Sequence, residues 1–319
     1  MPNVSEIIAT TIQSRTRKLA DNVTNNNAFL KRLESKGNLK TVSGGDQIYQ
    51  ELSYAENSNA GWYSGYDLLP VGVSTVVSAA EYDWKQYAVP VIISGLEQLQ
   101  NSGKERMIDL MEARLNVAES TMANDMSIGI YSDGTGGGGK QVEGLDAALP
   151  VDPTLTPYGG IDGNVDVFWR NRYLGKNITA TSIQGDLNLE WSNLVRGMDR
   201  PDCILMGTNI WNLYMQSLQT NQRFNSPTTG DAGFASVKFM DADCILDGGI
   251  GGACDDNTAF MLNSKYIMYR PHKNRNMVPL APNKRYSINQ DAEVQIIGWA
   301  GNMTTSGRKF HSRIVDTTP

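Results

Sequence analysis

The chain has 319 residues, 40% hydrophobic and 19% charged, which gives room for about two domains and excludes a low-hydrophobicity disordered chain. No stretch approaches the roughly 18 apolar residues of a membrane span, and the opening MPNVSEIIATTIQSRTRK lacks the basic-then-apolar pattern of an export signal. A net charge of −6 argues against general nucleic-acid affinity for the chain as a whole.

The charge is unevenly spread. Residues 1–40 hold seven basic side chains (Arg15, Arg17, Lys18, Lys31, Arg32, Lys36, Lys40) against three acids, which leaves a net −10 on the remainder. A basic arm on an acidic body suits an acidic neighbour or phosphate, although a solvated helix face is the plainer reading. Cys203, Cys244 and Cys254 are odd in number and lack metal-ligand spacing, so a reducing compartment at folding is expected and a disulfide scaffold is not.

Residues 5–23 read as a helix with Ile8, Ile12, Leu19 and Val23 on one side. Asn25–Asn27 break it, and Asn27 is placed to cap a shorter helix through Phe29, Leu30 and Leu33 to Gly37. Two such helices make no core alone and read as an arm docking elsewhere. The period then changes to two. Gln47–Tyr54 and Val73–Tyr87 alternate and are rich in β-branched and aromatic residues, which predicts a long hairpin closed by Pro90. Its polar tip carries Trp62, Tyr63 and Tyr66, residue types that serve as interface anchors. A lone two-stranded ribbon needs a partner surface.

Ser94 and Glu97 have capping-box spacing, and so have Ser102 and Glu105 at the head of the most regular stretch in the chain. There Met107, Met111, Leu115, Ala118, Met122, Met126 and Ile130 recur at helical steps, with Gly134 as a stop. The predicted rod has about 27 residues and is roughly 40 Å long. The following GTGGGGK fits G-x-x-x-x-G-K, and Gly134, Gly136 and Gly139 fit G-x-G-x-x-G. Both phosphate motifs require a preceding strand, whereas this loop leaves a helix, and Gln141 stands where a Ser or Thr would bind magnesium.

Residues 145–285 read as a mixed α/β block. It has a helix over 186–198, a buried strand Cys203–Met206, a helix capped by Thr208, and strands around an acidic turn with Asp243, Asp247, Asp255 and Asp256. That turn lacks EF-hand spacing and reads as turn chemistry. The tail reads as a final hairpin turning at Gly301–Gly307. His272 and His311 have no nearby nucleophile or acid arrangement, and neither H-E-x-x-H nor C-x-x-C occurs. No catalytic residue, cofactor or metal is assigned, and the chain reads as a structural protein.

The order of elements, together with AEYDWKQYAVPVIISGLEQLQNSGKERMIDLM, IYSDGTGGGGKQVEGLDAAL, YGGIDGNVDVFWR and GWAGNMTTSGRKFHSRI, resembles tailed-bacteriophage major capsid proteins of the HK97 fold. The resemblance implies an α+β fold with an N-arm over 1–38, an E-loop hairpin over 39–93 and a peripheral domain with spine helix over 94–144. An axial α/β domain over 145–285 and a C-terminal return to the peripheral domain over 286–319 complete it. It implies self-assembly as pentamers and hexamers into an icosahedral shell around double-stranded DNA held without sequence specificity. A portal, a decoration protein and, because the chain starts at Met1 with no scaffold-like domain, a separate scaffolding protein are the implied partners. The virion is the implied location, with host cytoplasm during assembly. Trp62, Tyr63, Tyr66, Arg15, Arg17 and Lys18 are the expected intersubunit contacts. Some relatives link E-loops covalently through Lys and Asn, but no motif here identifies such a bond at Lys85, Asn57 or Asn59. The alternatives are an encapsulin-like compartment shell and, in a different class, a P-loop-type nucleotide enzyme.

Overall fold

The structure, a computed structural model, describes residues 27–68, 72–73, 76–100, 104–220, 228–229, 235–249, 252–280, 285–286 and 291–318. The helix predicted over 5–23, with Arg15, Arg17 and Lys18, and Ser102 of the second predicted capping box lie outside the described residues.

Asn27 caps the helix Ala28–Ser35 as expected, its side-chain oxygen accepting the Phe29 and Leu30 amides at 3.0 Å each. Phe29, Leu30 and Leu33 are buried. This helix docks on the chain's own body, because they join a core shared with the long helix and the sheets.

β1 (Ile48–Ser53) and β2 (Val77–Tyr82) form an antiparallel ribbon, with Ile48 opposite Tyr82 and Ser53 opposite Val77. The period of two buries Ile48, Gln50 and Leu52 and exposes the residues between them. The expected second arm of the hairpin ends early. β3 (Lys85–Ser94) leaves the ribbon and pairs with residues 292–301, and Pro90 lies inside that strand instead of closing the hairpin. The Ser94 box forms: Glu97 accepts the Ser94 amide at 3.1 Å, and Ser94 Oγ accepts the Glu97 amide at 3.3 Å. Glu97 also pairs with Arg114 at 2.5 Å, tying the short helix Gly95–Gln100 to the long helix Lys104–Tyr131. In the latter, Leu115, Ala118, Met122, Met126 and Ile130 are all buried, as the spacing predicts.

The remaining strands are β4 (Arg172–Lys176), β5 (Cys203–Met206), β6 (Thr228–Thr229), β7 (Ala235–Phe239), β8 (Ala242–Leu246), β9 (Thr258–Leu262), β10 (Ile267–Pro271), β11 (Val278–Pro279), β12 (Arg285–Tyr286), β13 (Ala292–Thr305) and β14 (Ser312–Asp316). β13 is one straight-through strand, not the expected hairpin. β3 flanks one side of it, and β12, β11 and β10 follow in turn along the other. β14 crosses to a seven-stranded sheet of order β4-β14-β9-β5-β8-β7-β6, where it runs parallel to β4 and antiparallel to β9. The predicted tail hairpin fails because its two halves find better partners in different sheets.

The seven-stranded sheet is covered on both faces. Cys203 and Leu205 of β5 join the core of the long helix and β13. Ile204 and Met206 point the other way, into a second core with the helices Ile183–Leu194 and Thr208–Thr220. Two-sided burial explains the uninterrupted apolar run CILM. The first of these helices starts three residues before the predicted 186. Thr208 is not a cap: its hydroxyl has no hydrogen-bond partner, and the Asp256 carbonyl takes the Asn209 amide at 3.0 Å instead.

Candidate assembly surface

The reactive side chains are placed for packing. All three cysteines are buried, and burial pushes the Cys203 thiol up to about 12 and raises Cys244 and Cys254 as well, which leaves them protonated near neutrality. His311 is buried, lowered to about 3 by desolvation, and accepts the Asn263 amide on Nδ1 at 3.2 Å. His272 accepts the Asn274 amide at 3.1 Å and meets Trp84 edge-on. Asp255 accepts the Thr258 hydroxyl at 3.1 Å, which is turn chemistry. Among the described residues no group of three or more His, Cys, Asp or Glu is arranged to hold a metal.

The GTGGGGK segment follows the long helix, not a strand, and Gly137 and Gly138 take φ of 63° and 71° within it. Lys85 reaches into this loop, donating to the Gly139 carbonyl at 2.9 Å and pairing with Glu143 at 3.2 Å. The strand–loop–helix context of a phosphate cradle is not formed.

The hairpin is packed at its base and uncovered at its tip. Tyr82 donates to the Thr305 carbonyl at 3.1 Å and Tyr54 stacks on Phe168 at 4.9 Å, fastening both strands to the body. Beyond them Trp62 and Tyr66 are fully exposed and Tyr63 is 68% exposed. Local bonds shape the tip: Asp67 accepts the Ser64 amide at 2.8 Å, and Asn59 donates to the Gly72 carbonyl at 2.7 Å. The chain's own body therefore leaves these three rings uncovered.

A second feature has no signal in the sequence. Along β1, opposite the strand it pairs with, lies a cleft of about 830 Å³ reached by Lys40, Arg196, Lys265 and Arg270. One wall is a four-layer stack. Tyr266 and Phe310 lie face to face at 4.3 Å, Arg196 covers Phe310 at 4.8 Å, and Lys265 covers Tyr266 at 5.3 Å. Asp199 accepts from Lys265 and from the Tyr266 hydroxyl at 2.8 Å each, and these bonds hold its carboxyl below the usual range. The residues come from four separate parts of the chain, so no local period announces them.

No protein-family model matches the sequence, and no curated protein matches it. Solved structures do. The capsid of cyanophage A-1(L) is 14% identical, with 90% of this chain and 93% of that chain matched at a TM-score of 0.60. The capsid of the native GTA particle is 10% identical, with 90% of each chain matched at 0.57. The holo-SrpI encapsulin complex from Synechococcus elongatus PCC 7942 is 8% identical, with 87% and 84% matched at 0.56. The chain has the mixed α+β fold of these shells over almost its whole length.

Proposed function

We propose that this chain, built on the fold of the capsid shells, is a major capsid protein that self-assembles into an icosahedral head enclosing phage double-stranded DNA. One observation carries the reading: the likeness to a phage capsid takes in 90% of this chain and 93% of that one, so the fold is matched as a unit and not through a common submotif. The exposed aromatic tip supports it, because neighbouring copies are the natural cover for Trp62, Tyr63 and Tyr66.

In this reading the hairpin within residues 39–93 is the E-loop and the helix Lys104–Tyr131 is the spine of the peripheral domain, 94–144. Residues 145–285 supply the axial domain that meets its copies around five- and six-fold axes, and 286–319 return to the peripheral domain. Residues 1–38 are the N-arm, with Arg15, Arg17 and Lys18 contacting neighbours. The subunit is structural and has no catalytic role. A separate scaffolding protein, a portal and a decoration protein are its partners, the host cytoplasm is the place of assembly and the virion its destination.

Purified protein tests the class. Closed shells or large rings in negative stain are expected, and a monomer that hydrolyses ATP overturns the proposal. The likeness to an encapsulin gives the second reading, a cellular compartment. Nuclease-protected DNA inside particles from the native source supports the phage head, and a protein cargo without DNA supports the compartment.

A further inference from the structure

Among the described residues five Arg, Lys, Asp or Glu side chains are buried, and four of them are paired. Arg32 meets Asp243, Asp186 meets Lys176 and Glu190 meets Arg172. Arg308 stands apart. It has no exposed surface, and no described carboxylate lies within ion-pair reach of it. Its Nε donates to the Ala148 carbonyl at 2.6 Å, and the Tyr158 ring lies 5.2 Å from its guanidinium carbon. Nη1 and Nη2 are buried with no acceptor. Burial lowers its pKa, but a guanidinium holds its proton in proteins, so the charge stays. The cost of burying such a charge unpaired outweighs the cation–π contact.

The unpartnered groups near Arg308 are donors as well. The Tyr158 hydroxyl is buried without a partner, while Tyr82, whose ring meets Tyr158 edge-on, commits its own hydroxyl to the Thr305 carbonyl. His311 closes the turn that Arg308 opens, its amide donating to the Arg308 carbonyl at 3.1 Å. Because His311 Nδ1 accepts the Asn263 amide, the neutral ring carries its proton on Nε2, and that nitrogen too is buried with no acceptor. The carboxylates of this quarter are occupied: Asp146 pairs with Arg313 at 3.0 Å, Glu143 with Lys85 at 3.2 Å, and Asp202 with Arg32 at 3.4 Å.

A donor-rich interior selects what fills it. A water accepts hydrogens but brings its own, which need acceptors in turn, whereas an anion only accepts. A single positive charge calls for a single negative one, and full burial calls for a small ion. We propose that a small monovalent inorganic anion, with the size and charge of chloride, binds beside Arg308 Nη1 and Nη2 in the protein interior. Arg308 stands at the corner where the chain leaves β13 for β14 and crosses between the two sheets. Its Nε also holds the last carbonyl of the short helix Leu145–Ala148. The ion neutralises the one buried charge that the chain leaves unpaired, and through charge-assisted bonds it fixes that corner. The open cleft that Tyr158 borders is acidic, lined also by Glu81, Asp83, Asp133, Glu143 and Asp146, so the anion is captured as the chain folds and not through the cleft. The site belongs to the single subunit and is independent of the shell reading.

Urea unfolding of the full-length, unassembled subunit tests this in about 1 mM and about 100 mM sodium chloride, with sodium gluconate, too bulky for the interior, keeping the ionic strength constant. A site half-filled near about 10 mM makes the folding constant about tenfold larger at the higher chloride. Arg308→Met removes the charge and keeps an unbranched apolar stem, and it is expected to abolish the chloride dependence. Crystals of the wild-type protein grown in sodium bromide are expected to show an anomalous peak against Arg308 Nη1 and Nη2, a measurement that stands whether or not the variant folds. A wild-type folding constant that moves less than about twofold, an equal chloride effect in Arg308→Met, or bromide at surface positions only overturns the proposal.

Discussion

Arg32 and Asp243 are 211 residues apart in sequence and 2.7 Å apart in space, the guanidinium donating through Nη1 to Asp243 Oδ2. A second nitrogen of Arg32 donates to the Asp202 carbonyl at 2.5 Å. The Asp202 carboxylate in turn accepts the Ser264 amide at 2.8 Å and hydroxyl at 2.5 Å. One buried cation thus fastens the helix Ala28–Ser35 to the seven-stranded sheet. Removing one member of such a pair strands the other charge without solvent, so Arg32→Ala is expected to cost about 3–5 kcal/mol. Arg32→Ala with Asp243→Ala is expected to cost less than the sum of the single changes. Urea unfolding of the unassembled subunit measures both.

Acid sensitivity follows from His311. Burial lowers its folded-state pKa to about 3, while the unfolded chain titrates at about 6.5. Between those values only the unfolded state takes up the proton, so this contribution is complete above about pH 6.5 and is lost as pH falls toward 3. Burial raises Asp247 and Asp146, and these act in the opposite sense, favouring the folded state as pH drops. Wild type is expected to lose about 1.4 kcal/mol per unit through this group between pH 6 and 5. His311→Asn, which keeps an acceptor for the Asn263 amide, is expected to remove that slope. Unfolding curves at pH 7, 6 and 5 decide it, and parallel losses in the two proteins count against the assignment.

Trp62→Ser separates folding from assembly. The side chain is fully exposed in the single subunit, so circular dichroism and the unfolding midpoint are expected to stay within about 0.5 kcal/mol of wild type. Loss of a buried aromatic anchor between copies costs about 2 kcal/mol or more, roughly a thirtyfold rise in the assembly threshold. Light scattering against concentration measures it, and an unchanged threshold removes Trp62 from the contact.

Two glycines in one connector are expected to respond differently. A Cβ at Gly144 would press on the carbonyl oxygens of Gly129 and Ile130, backbone atoms at the end of the long helix. Gly144→Ala is expected to cost about 1–3 kcal/mol or more through overpacking. Gly138 has φ +71° and open space around its Cβ position, so Gly138→Ala carries only the left-handed penalty of about 1–2 kcal/mol. Calorimetry on the two variants should rank Gly144→Ala as the more destabilised.

Local signals account for what was legible without coordinates. The Asn27 cap, the Ser94–Glu97 box and the buried stripe from Leu115 to Ile130 each depend on residues within a turn or two of one another. The alternation in β1 likewise states which face is wet. The aromatics of the tip were legible but their exposure was not, because an interface anchor and a tip folded onto its own body use the same residue types.

Pairing partners were not legible in this way. Residues 292–316 alternate as a hairpin would, yet β13 and β14 enter separate sheets, because a period of two fixes a strand's faces and is silent about its edges. Arg32 reads as one more basic residue of an arm until Asp243 and Asp202 are brought to it. The stack of Arg196, Phe310, Tyr266 and Lys265 exists only once three distant segments meet. Short-range chemistry thus settled the elements and their wet and dry sides. The fold alone decided which edges, charges and rings face one another, because those contacts are selected by the free energy of burying the whole chain at once.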